Sequence, residues 1–398
     1  MNMNNDMDNM NKICIKKNND ISIMINDKDN INNNNMNSYM NNNMNMNMNN
    51  INNNINMNNL NNNNINCNAP MKIIKSDSSN NENSYANAVL QAISALDCIR
   101  HWINNLHNSN LMQNIQASLT KEFYMLFYNL YCGNQVDSTN LISTLENQVR
   151  AIYHKDMKKD EFHFLYYFLD MLHLENNCPI NPYFDINSYK NQILKNMKND
   201  NYMYNSFRSF YQQTTNSVIS QYFYNIEKYF TLCLNCEKIF YYDYKIIITF
   251  DLDKLIMLRN QEFPRNKGSN ISLGQCFYFY QNENYCQCPI CLSPMSKEKI
   301  SIISLTKVLI LCFKRSSHNI KCDVDFDIKF NINYLIEKNK YTNGMRNYYL
   351  KSIISLYYNK GFKYFSDVCI NGNWYRFCDN NDLNINIKNI NINNLKEY

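Results

Sequence analysis

Apolar positions recur at helical spacing through much of the stretch from Ser84 to Leu174, and at strand spacing after about residue 217. Between Ser84 and Trp102, Tyr85, Val89, Ala92, Ile93 and Leu96 follow one another at intervals of 4, 3, 1 and 3, which places them on one face of a helix. Asn83 or Ser84 suits the N-cap, because a short polar side chain there can accept from the unpaired amides of the first turn. The same period predicts helices through Leu111–Tyr131 and Leu141–Tyr153. It predicts another from Asp160 to Leu174, with Phe162, Leu165, Leu169 and Leu172 on one side. Residues 176–216 are rich in Asn and Tyr and read as an insertion rather than a core element.

Beyond residue 217 the runs Ile239–Phe250, Ile300–Phe313, Tyr348–Leu356, Tyr364–Ile370 and Trp374–Phe377 are β-branched or aromatic and predict strands. Asn371-Gly372 between the last two signals a two-residue hairpin, since both residues tolerate the positive φ such a turn demands. A helical first half and a mostly antiparallel second half make the expected class α+β.

Composition narrows the function. Residues 1–68 are nearly all Asn, Met, Ile, Asp and Lys without period, and are expected to be a disordered extension. The chain of 398 residues carries a formal charge of +5, too mild to argue for a dedicated nucleic-acid surface. Its six Gly form neither a dinucleotide-binding nor a P-loop pattern. The longest apolar run, Val308 to Phe313, is strand-sized rather than membrane-sized, and the first residues lack the apolar centre of a secretory signal. The 15 Cys are then expected in a reducing compartment, cytosolic or nuclear, where closely spaced pairs signal metal rather than disulfide.

Cys233-x-x-Cys236 and Cys288-x-x-Cys291 have that spacing. Two knuckles of this kind can close a tetrahedral shell around Zn²⁺, and four thiolates leave no open position, so the expected role is structural. The plain alternative is ordinary reduced Cys. Cys286 could substitute as a ligand, whereas Cys276, Cys312, Cys322 and Cys369 read as core fillers.

Several ordered motifs carry a family resemblance. Asn81-Glu-Asn-Ser84-Tyr85-Ala-Asn87-Ala-Val-Leu90-Gln91 resembles the nucleophile box of ubiquitin-specific proteases. Asp160 to Phe164-Leu165, continuing to Leu169-Asp170 and Leu172-His173, is similar to the family's acidic-start helix. The two Cys pairs match its zinc ribbon, Val308 to Lys314-Arg315 its strand ending in Lys-Arg, and Tyr349-Leu350 to Trp374 and Phe377 its His box. The resemblance implies a papain-like, right-hand fold with a helical thumb, β fingers bearing zinc and a β palm. On this chain it implies a domain over 73–390, with the thumb near 76–175, the insertion at 176–216, the fingers near 217–300 and the palm near 301–385. It also implies hydrolysis of ubiquitin isopeptide bonds by a Cys–His–Asp/Asn triad.

The residues for that chemistry are absent. Ser84 stands at the nucleophile position, Lys363 at the base, Cys378 at the acid with Asp379 beside it, and Ser79 at the oxyanion donor. The six His are 101, 107, 154, 163, 173 and 318, so none follows residue 318. A Ser84–Lys363 dyad would need a Lys far below its ordinary pKa. As displaced nucleophiles, Cys98 lies about four turns into the helix, at the wrong end, and Cys378 lacks a His. No catalytic residue is therefore expected. The combination resembles the family's non-catalytic branch associated with the tri-snRNP. That implies a nuclear scaffold in pre-mRNA splicing, with proteins of the spliceosomal tri-snRNP as partners and ubiquitin as a further candidate; a cytoplasmic site, a divergent deubiquitinase and a non-cleaving ubiquitin receptor are the alternatives.

Overall fold

The computed structural model describes residues 19–26, 73–74, 83–108, 118–264, 270–282, 284–315, 324–325, 327–333, 336, 347–358, 362–378 and 388–389. Ten helices stand among them: α1 Ser84–Ser94, α2 Asp97–Asn108, α3 Ser118–Tyr131, α4 Thr139–Tyr153, α5 Glu161–Asn176, α6 Ile186–Asn196, α7 Asp200–Thr214, α8 Val218–Phe223, α9 Leu252–Glu262 and α10 Leu273–Gln281. The longer strands are β1 Asn19–Asn26, β2 Asn225–Cys233, β3 Glu237–Lys245, β4 Ile247–Asp251, β5 Asn284–Cys286, β6 Ser296–Ser304, β7 Val308–Lys314, β8 Asn347–Tyr358, β9 Phe362–Ile370 and β10 Asn373–Cys378. Helices first and strands later give the expected α+β class.

The predicted Ser84–Trp102 helix is two helices. Ser94 turns its hydroxyl back onto the Gln91 carbonyl at 2.6 Å, and Tyr131 donates to the Ser94 carbonyl at 3.0 Å, which spends the acceptors that would continue α1. Asp97 then opens α2 with an acid in its first turn, favoured by the helix dipole. Asn83 occupies the N-cap of α1 without a side-chain cap bond. Helix α5 forms as predicted, and the Asp160 side chain caps it, accepting from the His163 amide at 2.8 Å.

Two predicted strands also divide. Ile239–Phe250 becomes β3 and β4, and Ile300–Phe313 becomes β6 and β7. The second break falls where Asn225 Oδ1 accepts from both the amide and the hydroxyl of Thr306, at 3.0 and 3.2 Å. That clamp lets one apolar run serve two sheets. A four-stranded sheet runs β3–β2–β6–β5, antiparallel throughout. The larger sheet runs β10–β9–β8–β1–β7–β4, extended beyond β10 by residues 388–389 and flanked at β8 by residues 329–331. The Asn371-Gly372 turn forms as predicted, with φ of 51° and 80° joining β9 to β10.

One expectation is corrected. The extension at 1–68 contains β1, which pairs antiparallel with β7 on one side and β8 on the other. Its sequence, Asp20-Ile-Ser-Ile-Met-Ile25, alternates β-branched residues at 21, 23 and 25, a strand signal submerged in Asn. The rest of 1–68 lies outside the described residues. The insertion at 176–216 is two capped helices, α6 and α7. Asp185 and Asn199 supply their N-caps, a signal as local as that of any other helix here.

One core lies between α1–α5 and the inner face of the large sheet, with Phe123, Phe127, Phe164 and Phe168 fully buried. A second lies on the opposite side of that sheet under α9 and α10, around Phe250, Phe277 and Tyr348. Among the described residues, no helix is long and apolar enough to cross a membrane.

His173, on α5, bonds Ser217 Oγ through Nδ1 at 2.7 Å and is almost fully buried. Burial pushes its pKa down to about 4. The unfolded chain therefore takes up a proton below about 6.5 that the folded chain refuses until about 4. Stability is expected to fall as pH drops through this window, by up to about 3 kcal/mol from this group. The slope of melting temperature against pH between 6.5 and 4 should be shallower in His173→Gln than in the unaltered protein; equal slopes would refute the assignment.

Candidate functional site

Helix α1 is buried along its whole length, polar residues included. Asn87 accepts from the Ser138 hydroxyl at 2.5 Å, and Gln91 accepts from the Ile73 amide at 3.2 Å. Ser84, 9% exposed, sits at the first turn, where the positive end of a helix would favour an anionic nucleophile.

Tyr85, the next residue, fixes where this turn points. Its ring meets Phe164 of α5 edge-on at 5.8 Å and Tyr364 of β9 at 6.4 Å. The Tyr364 hydroxyl in turn bonds the Glu161 carboxyl, and burial first, then that acid, holds the phenol far above its usual pKa. Three elements thus meet at one point. Ser84 precedes one tyrosine of the contact and Lys363 precedes the other, so the backbone brings positions 84 and 363 to the same end of the cleft between α1 and β9.

Cys378 pairs in register with Phe365, which puts the third position across the hairpin and two residues along from Lys363. The side chains of Lys363 and Cys378, and all of Ser79 and Asp379, lie outside the described residues. The hairpin is braced by a bidentate pair, Arg376 Nε and Nη2 each 2.8 Å from the Asp367 carboxylate. Asp367 is 3% exposed in its side chain. Desolvation pushes its pKa up more than the guanidinium lowers it.

Three of the described imidazoles are bonded elsewhere. His107 bonds the Tyr124 hydroxyl at 2.8 Å, His154 ends α4 at a φ of 54°, and His173 is tied to Ser217. His163 turns Nδ1 to both oxygens of Asp160, at 2.7 and 2.8 Å. His101 is exposed on α2. His318 lies outside the described residues. Cys98 is half-buried on α2, Cys276 and Cys312 are core fillers as expected, Cys369 is half-buried, and Cys322 is not described.

At the far end of the small sheet, the Sγ atoms of Cys233, Cys236, Cys288 and Cys291 all lie within 4.8 Å of one another. Cys233 and Cys291 are 3.5 Å apart. A tetrahedral Zn²⁺ with Zn–S bonds near 2.3 Å needs sulfurs about 3.8 Å apart, so the cluster could hold zinc. Cys286 is not part of it. The Ser296 hydroxyl and then the Cys236 amide lower the Cys233 pKa to about 6, favouring a thiolate. The neighbouring Cys291 and burial push Cys236 the other way, as expected where thiolates crowd without a cation.

Sequence reasoning missed the Tyr364–Glu161 bond beside the cleft and the Asp170–Tyr153 bond between α5 and α4. A buried acid next to a helix cap has no periodic signature, and only Glu161 falling on the apolar side of α5 could have marked it.

These features coincide with the comparisons. The sequence profile of the family described as ubiquitin carboxyl-terminal hydrolase matches residues 76–392. The chain belongs to that family. Among solved structures, the yeast SAGA DUB module with an Sgf73 mutant is similar with a TM-score of 0.53 at 14% identity, over 82% of this chain and 66% of that one. The SAGA DUB module of Ubp8, Sgf11, Sus1 and Sgf73 bound to monoubiquitin gives 0.53 at 12% identity, covering 84% and 67%. The same module bound to ubiquitin aldehyde gives 0.52 at 14%, covering 82% and 67%. About a third of those chains therefore has no counterpart here, and at such identity the likeness shows the fold alone. No curated protein matches by sequence.

Two outcomes are expected. Cys233→Ser with Cys288→Ser should reduce bound zinc from about one per chain to background and lower the melting temperature. Unchanged metal content by elemental analysis would refute the site. Arg376→Ala should cost about 3–5 kcal/mol in denaturant unfolding, because it strands a buried carboxylate, and Asp367→Leu with Arg376→Met should recover most of that loss.

Proposed function

We propose that this chain is a non-cleaving member of its family, a protein-binding scaffold that keeps the ubiquitin-protease frame without its chemistry. One observation carries the reading. The Tyr85–Tyr364 contact brings together the two positions where nucleophile and base would stand, and they are Ser84 and Lys363. A serine hydroxyl needs a base near neutral pKa to lose its proton, and a lysine ammonium is not one. The catalytic set expected of the family is thus replaced at Ser84, Lys363 and Cys378, with Ser79 at the oxyanion position.

Within that reading, the partners are proteins of the spliceosomal tri-snRNP, the compartment is the nucleus and the fingers carry structural zinc. Support comes from the non-Cys nucleophile box together with a His box lacking its His. Ubiquitin is a further ligand to test, since solved structures of similar fold hold it.

A divergent deubiquitinase is the second reading, and one observation favours it. His163 and Asp160 form an imidazole–carboxylate pair one residue from Phe164, which touches Tyr85. Among the described residues His163 bonds Asp160 and not Ser84.

A fluorogenic ubiquitin conjugate separates the two. The scaffold predicts release no faster than in buffer and no change on Ser84→Ala or His163→Ala. Turnover lost in either variant would overturn it. Affinity purification of the full chain from nuclear extract should recover tri-snRNP proteins, and their absence would remove the splicing assignment.

A further inference from the structure

The large sheet has an unusual internal seam. Strands β7 and β8 do not pair with each other; β1 lies between them. The register runs from Asn19 opposite Lys314 to Ile25 opposite Val308 on one side. On the other it runs from Ile21 opposite Ile354 to Asn26 opposite Tyr348, with one irregularity between Ile23 and Met24. Because β1 is antiparallel to both, β7 and β8 are parallel to each other and about 9.6 Å apart, twice the strand spacing.

The outer edges of both neighbours are occupied. β7 pairs with β4, while β8 pairs with β9 and with residues 329–331. Within the described sheet, β1 alone joins the half that carries β4 and β7 to the half that carries the β9–β10 hairpin. That hairpin bears positions 363 and 378. The walls of the seam are buried: every residue of Val308–Phe313 is, as are Tyr348, Leu350, Ile353 and Ile354. That burial is reached with β1 in place; without a strand between them, β7 and β8 would each present a row of unpaired amides and carbonyls along these edges, which a strand satisfies on both sides at once.

The strand that fills it is separated by 46 residues, 27–72, from the next described element at Ile73. A chain of that length can reach up to ~150 Å and raises the local concentration of its strand to roughly millimolar. We propose that the seam is a strand-accepting site and that residues 19–26 are its tethered, exchangeable occupant, supplied by the same chain. The ligand class is an extended segment with alternating β-branched residues, recognised through its backbone on both edges. The inference does not depend on whether the cleft cleaves anything.

The test cuts the tether. A specific protease site replacing Asn32–Asn35 in the full chain is cleaved in the native protein. The released N-terminal fragment should co-elute with the body, and a labelled peptide of residues 17–28 in about tenfold excess should displace it. The uncut chain should resist the same peptide, and the peptide carrying Ile23→Pro, which lacks a ladder donor, should displace nothing. A fragment that separates on cutting while the melting temperature of the body is unchanged would overturn the proposal. An uncut chain that is dimeric in solution, and exchanges β1 between differently labelled copies, would overturn its assignment to the same chain. Hydrogen exchange on the unaltered protein gives a second measure. The amides of Ile21–Ile25 should exchange as slowly as those of Leu309–Phe313, and fast exchange at Ile21–Ile25 would overturn the site.

Discussion

A helix buried on every side cannot leave its polar groups to water, and α1 is such a helix. Each of Asn87, Gln91 and Ser94 must find a protein partner, and each partner belongs to a different neighbour: Ser138 before α4, the backbone at Ile73, and the end of α1 itself. An unpaired group in such a place costs about 1–3 kcal/mol, comparable to a large part of a domain's net stability. The arrangement of thumb and palm around α1 is therefore specified by polar bonds as much as by apolar area. Tyr85 adds the aromatic contacts that align α5 and β9 with the start of the helix. None of these contacts depends on whether position 84 is a nucleophile.

The fingers depend on the insertion in a similar way. β3 is an edge of the small sheet, and an open edge invites pairing with other chains. Here the Phe240 amide donates to the Met197 carbonyl at 2.8 Å, at the turn between α6 and α7. Asp200 then accepts from Tyr242 and Lys228, at 2.7 and 2.8 Å, tying α7 to two strands. Met197 and Met203 pack in the cluster that holds Cys233 and Cys288. A flexible thioether suits an irregular surface beside a metal knuckle. The Asn-rich segment is thus a brace for the cysteine cluster and a cover for part of the sheet edge.

The sequence was legible where a signal is local. The helical period of α5, the Asn371-Gly372 turn and each Cys-x-x-Cys pair are patterns spanning fewer than about twenty residues. What escaped was set by distant partners. The five-residue alternation in β1 becomes a strand only because β7 and β8, some three hundred residues later, offer two edges. The split between β6 and β7 depends on Asn225, far back in the chain, and the run itself is continuous in hydrophobicity. Helices α6 and α7 were hidden differently: low apolar content masked two good Asp/Asn caps. In the candidate site, positions 84, 363 and 378 came from motif order, but the Tyr85–Tyr364–Glu161 chain that brings them together is a tertiary fact.

Frame and chemistry separate in this fold because they make different demands. The frame asks that position 84 be small and polar at a helix start, and serine meets that as well as cysteine would. It asks that Tyr364 reach Glu161, a demand on position 364 rather than on the residue before it. Catalysis by the family's triad would ask in addition for an imidazole whose pKa lies near neutrality, and the contacts of Tyr85 with Phe164 and Tyr364 do not require one. A change at position 363 alone would therefore end such a reaction at little cost to the fold. The reverse does not hold: loss of Tyr85 or Tyr364 would open the contact between α1, α5 and β9 and take the geometry of the cleft with it.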